Sequence, residues 1–125
     1  EEGSIPAEQA AMLQSIIRFE DKDVRDIMVP AEKVTFVDLR WDAARILEVA
    51  RSSGHSRLPV YVGTTENIRG VLHIKQLIQL DHVGFDASEL ASMLRPPMFV
   101  SESLLIGDLL KRFQEERVHL AIVVD

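Results

Sequence analysis

The sequence predicts a mixed α/β (α+β) fold in which two copies of one small unit each build a small β-sheet flanked by helices. Three observations carry this expectation. First, β-rich runs and helix-period runs follow one another as strand, helix, strand, turn, strand, helix. Second, the chain repeats itself at a shift of 63 residues, which lays Phe36-Val37 on Phe99-Val100, Ile46-Leu47 on Leu109-Leu110, and Leu58–Val62 on Ala121–Asp125. Met28 and Pro30 pair with Met93 and Pro96 if about two residues are deleted between them. Third, 125 residues that are 46% hydrophobic and 27% charged amount to one domain's length with enough apolar material for a core. Neither copy buries its sheet alone, so a pseudo-two-fold pairing of the two is expected.

The elements follow in order. Ser4 can cap a first helix, Pro6 tolerates its first turn, and Ala10, Leu13 and Ile17 recur at helical spacing. Asp23, with Asp26 three residues on, starts a short second helix that Pro30 ends. Val34–Val37 reads as a strand. Trp41–Ser53 is the clearest helix, with Trp41, Ala44, Ile46, Leu47 and Ala50 as its apolar stripe and Gly54 as the residue that ends it. Leu58–Val62 reads as a strand, Gly63–Asn67 as a turn, Ile68–Leu72 as a second strand, and Ile74–Leu80 as a helix. Pro59 suggests an edge position or a strand entry, because it has no N–H to donate.

Residues 81–88 are polar and read as a linker. Glu89–Leu94 is a short helix stopped by Pro96 and Pro97, and Met98–Val100 is a short strand. Leu104–Glu116 is amphipathic, with Leu105, Leu109, Leu110 and Phe113 on one side. Leu120–Val124 is a buried strand by composition. The resulting division is a connecting helix at 1–22, repeat one at 23–80, the linker at 81–88 and repeat two at 89–125. The second copy stops after one strand, so it is expected to be incomplete at its C-terminus and to leave a sheet edge that needs covering.

Several function classes fit poorly. A formal net charge of −6 argues against a nucleic-acid partner, which needs a basic face for phosphates. No run approaches the roughly 20 apolar residues of a membrane span. The absence of cysteine removes thiolate nucleophiles and thiolate metal sites. His55, His73, His82 and His119 show no metal-ligand spacing, so no metal site is expected. Ser52, Ser53 and Ser56 lie near His55 without an evident orienting acid, so no catalytic residues are expected and the chain is read as a non-enzyme.

The stretch Val24-Arg25-Asp26-Ile27-Met28-Val29-Pro30, followed by Gly54-His55-Ser56-Arg57-Leu58-Pro59-Val60-Tyr61, resembles the first CBS repeat of the CorC/HlyC family, which includes the cyclin-M-like magnesium transport mediators. Asn67–Lys75 is similar to that family's strand-to-helix segment, and Leu94–Val100 with Val118–Asp125 to its second repeat. The resemblance covers nearly the whole chain. It implies a tandem CBS pair (a Bateman module), bacterial in origin, that follows a transmembrane domain and lies at the cytoplasmic face of the inner or plasma membrane. It further implies a parent protein tied to magnesium and cobalt efflux, pairing as a homodimer, and AMP or ATP, with or without Mg, as a regulatory ligand between the repeats.

An adenine nucleotide needs an apolar slot for its base, a hydrogen-bonding group for its ribose and cationic donors for its phosphates. Arg57, just before a strand, is the phosphate candidate, although a surface salt bridge is the commoner fate of a lone arginine. Ser56 falls on His119 in the repeat. His119 reads either as a phosphate or ribose contact or as a buried, hydrogen-bonded histidine at a strand start. Val37, Leu58, Pro59, Met98, Leu120 and Ala121 are candidates for the base slot, and most of them are expected to be plain core. The family's Thr or Ser followed by Asp, which holds ribose, is here His73 and Gln76, so Gln76 is an uncharged occupant of the ribose position. Ala31 replaces the family's Arg after Pro30. These departures keep open a second reading, a ligand-free dimerisation or assembly module of the same protein. A small hydrolase or metal-binding protein is a distant third.

Overall fold

The computed structural model describes residues 21–80 and 84–124. The helix expected over the first residues lies outside the described residues. The chain divides into two compact units that are interleaved in sequence. One runs from Val29 to Met98, and the other joins the described residues up to Met28 with the described residues from Phe99.

In the Val29–Met98 unit, a 3-10 turn over Ala31–Lys33 precedes strand β1 (Val37–Asp38). The strand expected over 34–37 therefore starts only at Val37. Helix α1 (Ala43–Ser53) begins two residues later than expected, because Asp42 caps it by accepting from the Arg45 N–H at 2.8 Å. Gly54 ends it in the left-handed region at φ 74°. Ile46, Leu47 and Ala50 are buried along its inner face and Trp41 packs against them, whereas Ala44 of the expected stripe is exposed.

Strands β2 (Arg57–Val62) and β3 (Thr64–His73) form an antiparallel hairpin, and β1 joins β2 in parallel, with Val37 opposite Val60. The expected turn over Gly63–Asn67 contracts to Gly63, at φ 81°, and Thr64 already pairs with Val62. In the order β1-β2-β3, the strand holding Pro59 is central, not an edge. Proline is tolerated there for a local reason. Pro59 pairs with Val71, but Val71 turns its N–H and C=O the other way, to Arg95, at 3.0 Å each. β1 pairs only with Val60 and Tyr61. No ladder N–H is asked of Pro59.

Helix α2 (Ile74–Gln79) follows β3 as expected. Helix α3 (Ala87–Met93) starts two residues before the expected Glu89, because Asp86 and Glu89 form a reciprocal cap, with bonds of 2.8 and 3.3 Å. Val37, Ile46, Leu58, Val60, Leu72, Leu77 and Leu90 are at most 1% exposed, and they fuse the sheet and the three helices into one core. Truncating any of the buried leucines to alanine is worth about 2–5 kcal/mol.

In the other unit, strand β4 (Phe99–Ser101) pairs in parallel with β5 (Ile122–Val124), and helix α4 (Ile106–Glu116) connects them. Val100 lies opposite Val123, the pair 63 residues on from Val37 and Val60. Helices α1 and α4 obey the same shift at both ends. Ile106 and Leu109 are buried in α4, but Leu105 and Leu110 are 48% and 43% exposed, so the expected one-sided stripe holds for only part of its length. β5 begins two residues later than expected and is half-buried at Ile122 and Val123 and exposed at Val124, not buried.

The 3-10 turn Val24–Asp26 belongs to this second unit. Val24 is buried and its N–H reaches the Leu104 carbonyl at 2.8 Å. The Arg25 N–H reaches the Glu102 carbonyl at 3.0 Å, and the Arg25 guanidinium meets the Glu102 carboxylate at 2.6 Å.

Candidate functional site

One end of the β2–β3 hairpin gathers polar side chains. Arg57 opens β2 directly opposite His73, the last residue of β3. The Ile74 N–H donates to the Ser56 carbonyl at 3.0 Å, so the approach to β2 is tied to the first turn of α2. Arg57 is half-buried, and among the described residues its side chain forms no hydrogen bond or ion pair. The surface salt bridge that would have occupied it does not form among the described residues.

Gln76 lies in the first turn of α2. Its Oε1 atom is buried and has no hydrogen-bond donor among the described residues. An amide oxygen in that state costs about 1–3 kcal/mol unless something donates to it. A guanidinium without an acceptor and an amide oxygen without a donor thus stand at the same end of one sheet.

The other sequence-derived candidates separate into two groups. Val37 and Leu58 are wholly inside the core, and Pro59 and Met98 are buried, so their side chains act as packing. Ser56 is exposed. His119, Leu120 and Ala121 belong to the other unit, where His119 is exposed and Leu120 and Ala121 are half-buried. The reading of His119 as a buried, hydrogen-bonded histidine does not hold, because the chain is still irregular at 118–121 and β5 starts only at Ile122. His55 is exposed, and its backbone N–H donates to the Ser53 hydroxyl just beyond α1.

Sequence reasoning missed Asp38, a carboxylate only 5% exposed. Burial pushes its pKa up, but the Arg40 backbone N–H at 2.9 Å, the Arg40 guanidinium at 3.2 Å and the Gly63 N–H together outweigh that penalty and hold the carboxyl below its ordinary value. The group clamps the β1 turn to Gly63 and is structural. Asp followed two residues later by Arg at a strand end was the available signal. Among the described residues, no three His, Cys, Asp or Glu side chains come together as a metal cluster. No described helix is long and apolar enough to cross a membrane.

Comparison with known proteins adds a context. The family profile described as CBS domain matches residues 24–82. The chain is 35% identical, over 91% of its length, to the magnesium and cobalt efflux protein CorC of Pasteurella multocida, and 33% identical to hemolysin C of Brachyspira hyodysenteriae. It spans only 38% and 41% of those two proteins. Among solved structures, the CBS domain of a bacterial CNNM/CorC family Mg2+ transporter in complex with ATP is 31% identical, with a TM-score of 0.81 over 94% of this chain and 84% of that one. A functionally unknown domain from Neisseria meningitidis is 32% identical, with a TM-score of 0.85 over 99% of this chain and 80% of that one.

Proposed function

The chain belongs to the CBS domains of the bacterial CNNM/CorC family of Mg2+ transporters, and on that footing we propose that it is a regulatory module that binds an adenine nucleotide and catalyses nothing itself. The observation that carries the reading is the pair of groups at the Arg57 end of the β2–β3 hairpin, one half-buried and one buried, that have no hydrogen-bond partner among the described residues. Arg57 offers a fork of donors suited to a phosphate, and the Gln76 Oε1 offers a buried acceptor suited to a ribose hydroxyl. The ATP complex of the similar CBS domain supports the same ligand class.

Within this reading, Ser56 and the backbone of Leu58 and Pro59 flank the base and phosphates. In the other copy, His119 stands where Ser56 does and Leu120 where Arg57 does, so that copy lacks the guanidinium. A second nucleotide there would rely on His119 with Leu120 and Ala121. We take the repeats as 23–80 and 89–125, preceded by a connecting helix. The parent protein is taken as a homodimeric magnesium or cobalt efflux protein of the inner or plasma membrane, with this module on the cytoplasmic side. A ligand regulates such a parent only by binding two of its arrangements unequally.

Titration of AMP, ADP and ATP into the protein, with and without Mg2+, tests the proposal. Binding should be saturable, and Arg57→Ala should weaken it by roughly 1.5–3 kcal/mol, the worth of a charge-assisted hydrogen bond. Absence of heat and of thermal shift at millimolar nucleotide would refute it.

A second reading, a ligand-free assembly module, draws on a different observation. Val29 is 63% exposed, and Phe99, Leu105 and Val124 are each more than 40% exposed, which is apolar surface that a partner copy could cover. Sedimentation separates the two. An assembly module gives a dimer whose mass and stability ignore nucleotide.

A further inference from the structure

We propose that the Val29–Met98 unit holds a second anion site, at the end of its sheet remote from Arg57, which takes a phosphate-bearing small molecule with an apolar body. The proposal does not rest on the nucleotide reading above. It rests on an open cleft of about 420 Å³, whose wall is Leu39, Leu94, Pro96 and Pro97 and whose cationic groups are Arg69 and Arg95. Arg57 pairs with His73 at one end of the hairpin, whereas Arg69 adjoins the Tyr61–Ile68 pair at the other.

Three features show that this cleft is built by the fold. Arg69 is the extra residue of a β-bulge, since Val60 pairs with Gly70 but the next residue, Tyr61, pairs with Ile68. A bulge re-aims the side chain it carries, and here Arg69 lines the same cleft as Leu39 and Leu94, which both pack on the helix-covered core. Arg95 is fixed from the other side by its two backbone bonds to Val71, each 3.0 Å. Gly70 makes the close approach possible, because a Cβ there would stand 2.8 Å from both the Arg95 carbonyl oxygen and the Leu94 Cβ.

Charge points to the ligand. Among the described residues, neither the Arg69 nor the Arg95 side chain has a hydrogen bond or an ion pair. Residues 29–98 carry eight Lys/Arg and eight Asp/Glu, whereas the whole chain carries 14 and 20, so this unit by itself has no excess negative charge. Two guanidiniums suit a group with several anionic oxygens better than a single carboxylate. Proline and leucine walls suit an apolar or planar body. The volume falls in the range of small-molecule sites, about 300–1,000 Å³.

The test is residue-resolved NMR together with calorimetry on the protein, using inorganic tripolyphosphate, ATP and citrate as probes. Tripolyphosphate should shift the amides of Gly70 and Arg95, ATP should bind there at least threefold more tightly, and citrate should bind markedly more weakly than either. The Arg69→Gln/Arg95→Gln double variant, with its thermal transition unchanged, should lose at least tenfold in affinity at this site. Arg57→Gln should leave these shifts in place, which separates the site from the nucleotide site. Silent Gly70 and Arg95 amides at millimolar probe would overturn the proposal, as would a double variant within twofold of the parent. Citrate binding as well as tripolyphosphate, or ATP no better than tripolyphosphate, would overturn the ligand class.

Discussion

Gly54 and Arg117 stand 63 residues apart and end helices α1 and α4 in the same left-handed conformation, at φ 74° and 55°. The first copy fills this position with the residue that adopts it freely. The second fills it with a residue whose Cβ crowds the following carbonyl. Nothing else in the described structure demands the arginine, which is exposed. Arg117→Gly should therefore stabilise the protein by about 0.5–1 kcal/mol, after the extra entropy of glycine in the unfolded chain is deducted. Urea denaturation reads the effect as a higher midpoint with an unchanged slope.

Asp38 supplies a pH dependence with a definite sign. Its folded-state pKa is depressed, so its contribution is complete above the ordinary carboxylate pKa of about 3.9 and is lost as pH falls through the lower folded value. Asp38→Asn keeps the shape but loses the charge-assisted bonds. It should cost about 1–2 kcal/mol at pH 7, at the modest end because the Arg40 side chain is 64% exposed and screened. The deficit should shrink as the pH drops below about 4. A deficit that is constant from pH 7 to pH 2.5 would show that the carboxylate charge contributes nothing.

What the sequence disclosed was local or periodic. The 63-residue shift carries the observed pair Val37–Val60 onto the observed pair Val100–Val123, so the correspondence of the two copies was legible to the residue although the pairing within each was not. Gly54 was legible as a helix end because φ is a local property. What stayed hidden depends on partners far along the chain. Pro59 reads as an edge residue until one sees that Val71 bonds to Arg95 instead of to β2. Nothing near Lys22–Arg25 announces that these residues bond to Glu102, Leu104 and Ile106, which is why the compact units cut across sequence order. At the candidate site, Arg57 and Gln76 were legible by type. Their lack of partners among the described residues was not, because it reflects which of those groups fail to come near them.

Gly70 sets the spacing between β3 and the segment at 94–97. Its φ is not left-handed, so the constraint is space and not backbone conformation. Gly70→Ala places a methyl group 2.8 Å from the Arg95 carbonyl oxygen, and backbone yields less readily than a side-chain tip. A loss of about 1–3 kcal/mol is expected, typical of overpacking. The Val71–Arg95 bonds should loosen first, so amide exchange at Arg95 should accelerate more than exchange at Leu72 or Val60. Uniform acceleration would mean that the strain spreads through the whole sheet.

Gln76 offers a measurement in which stability and binding move in opposite directions. In the ligand-free protein its buried Oε1 has lost water and gained no donor among the described residues, a net cost that Gln76→Leu removes while keeping most of the volume. The substitution should leave stability unchanged or raise it by about 1 kcal/mol. If a ribose hydroxyl supplies the missing donor, the same substitution should weaken AMP and ATP binding by about 0.5–1.5 kcal/mol, a factor of roughly 2 to 13, the net worth of a neutral hydrogen bond. A 2′,3′-dideoxy nucleotide should then bind both proteins alike, because it cannot donate. If Gln76→Leu destabilises the protein and leaves nucleotide affinity untouched, the amide serves the fold alone, and the ribose must be held from elsewhere.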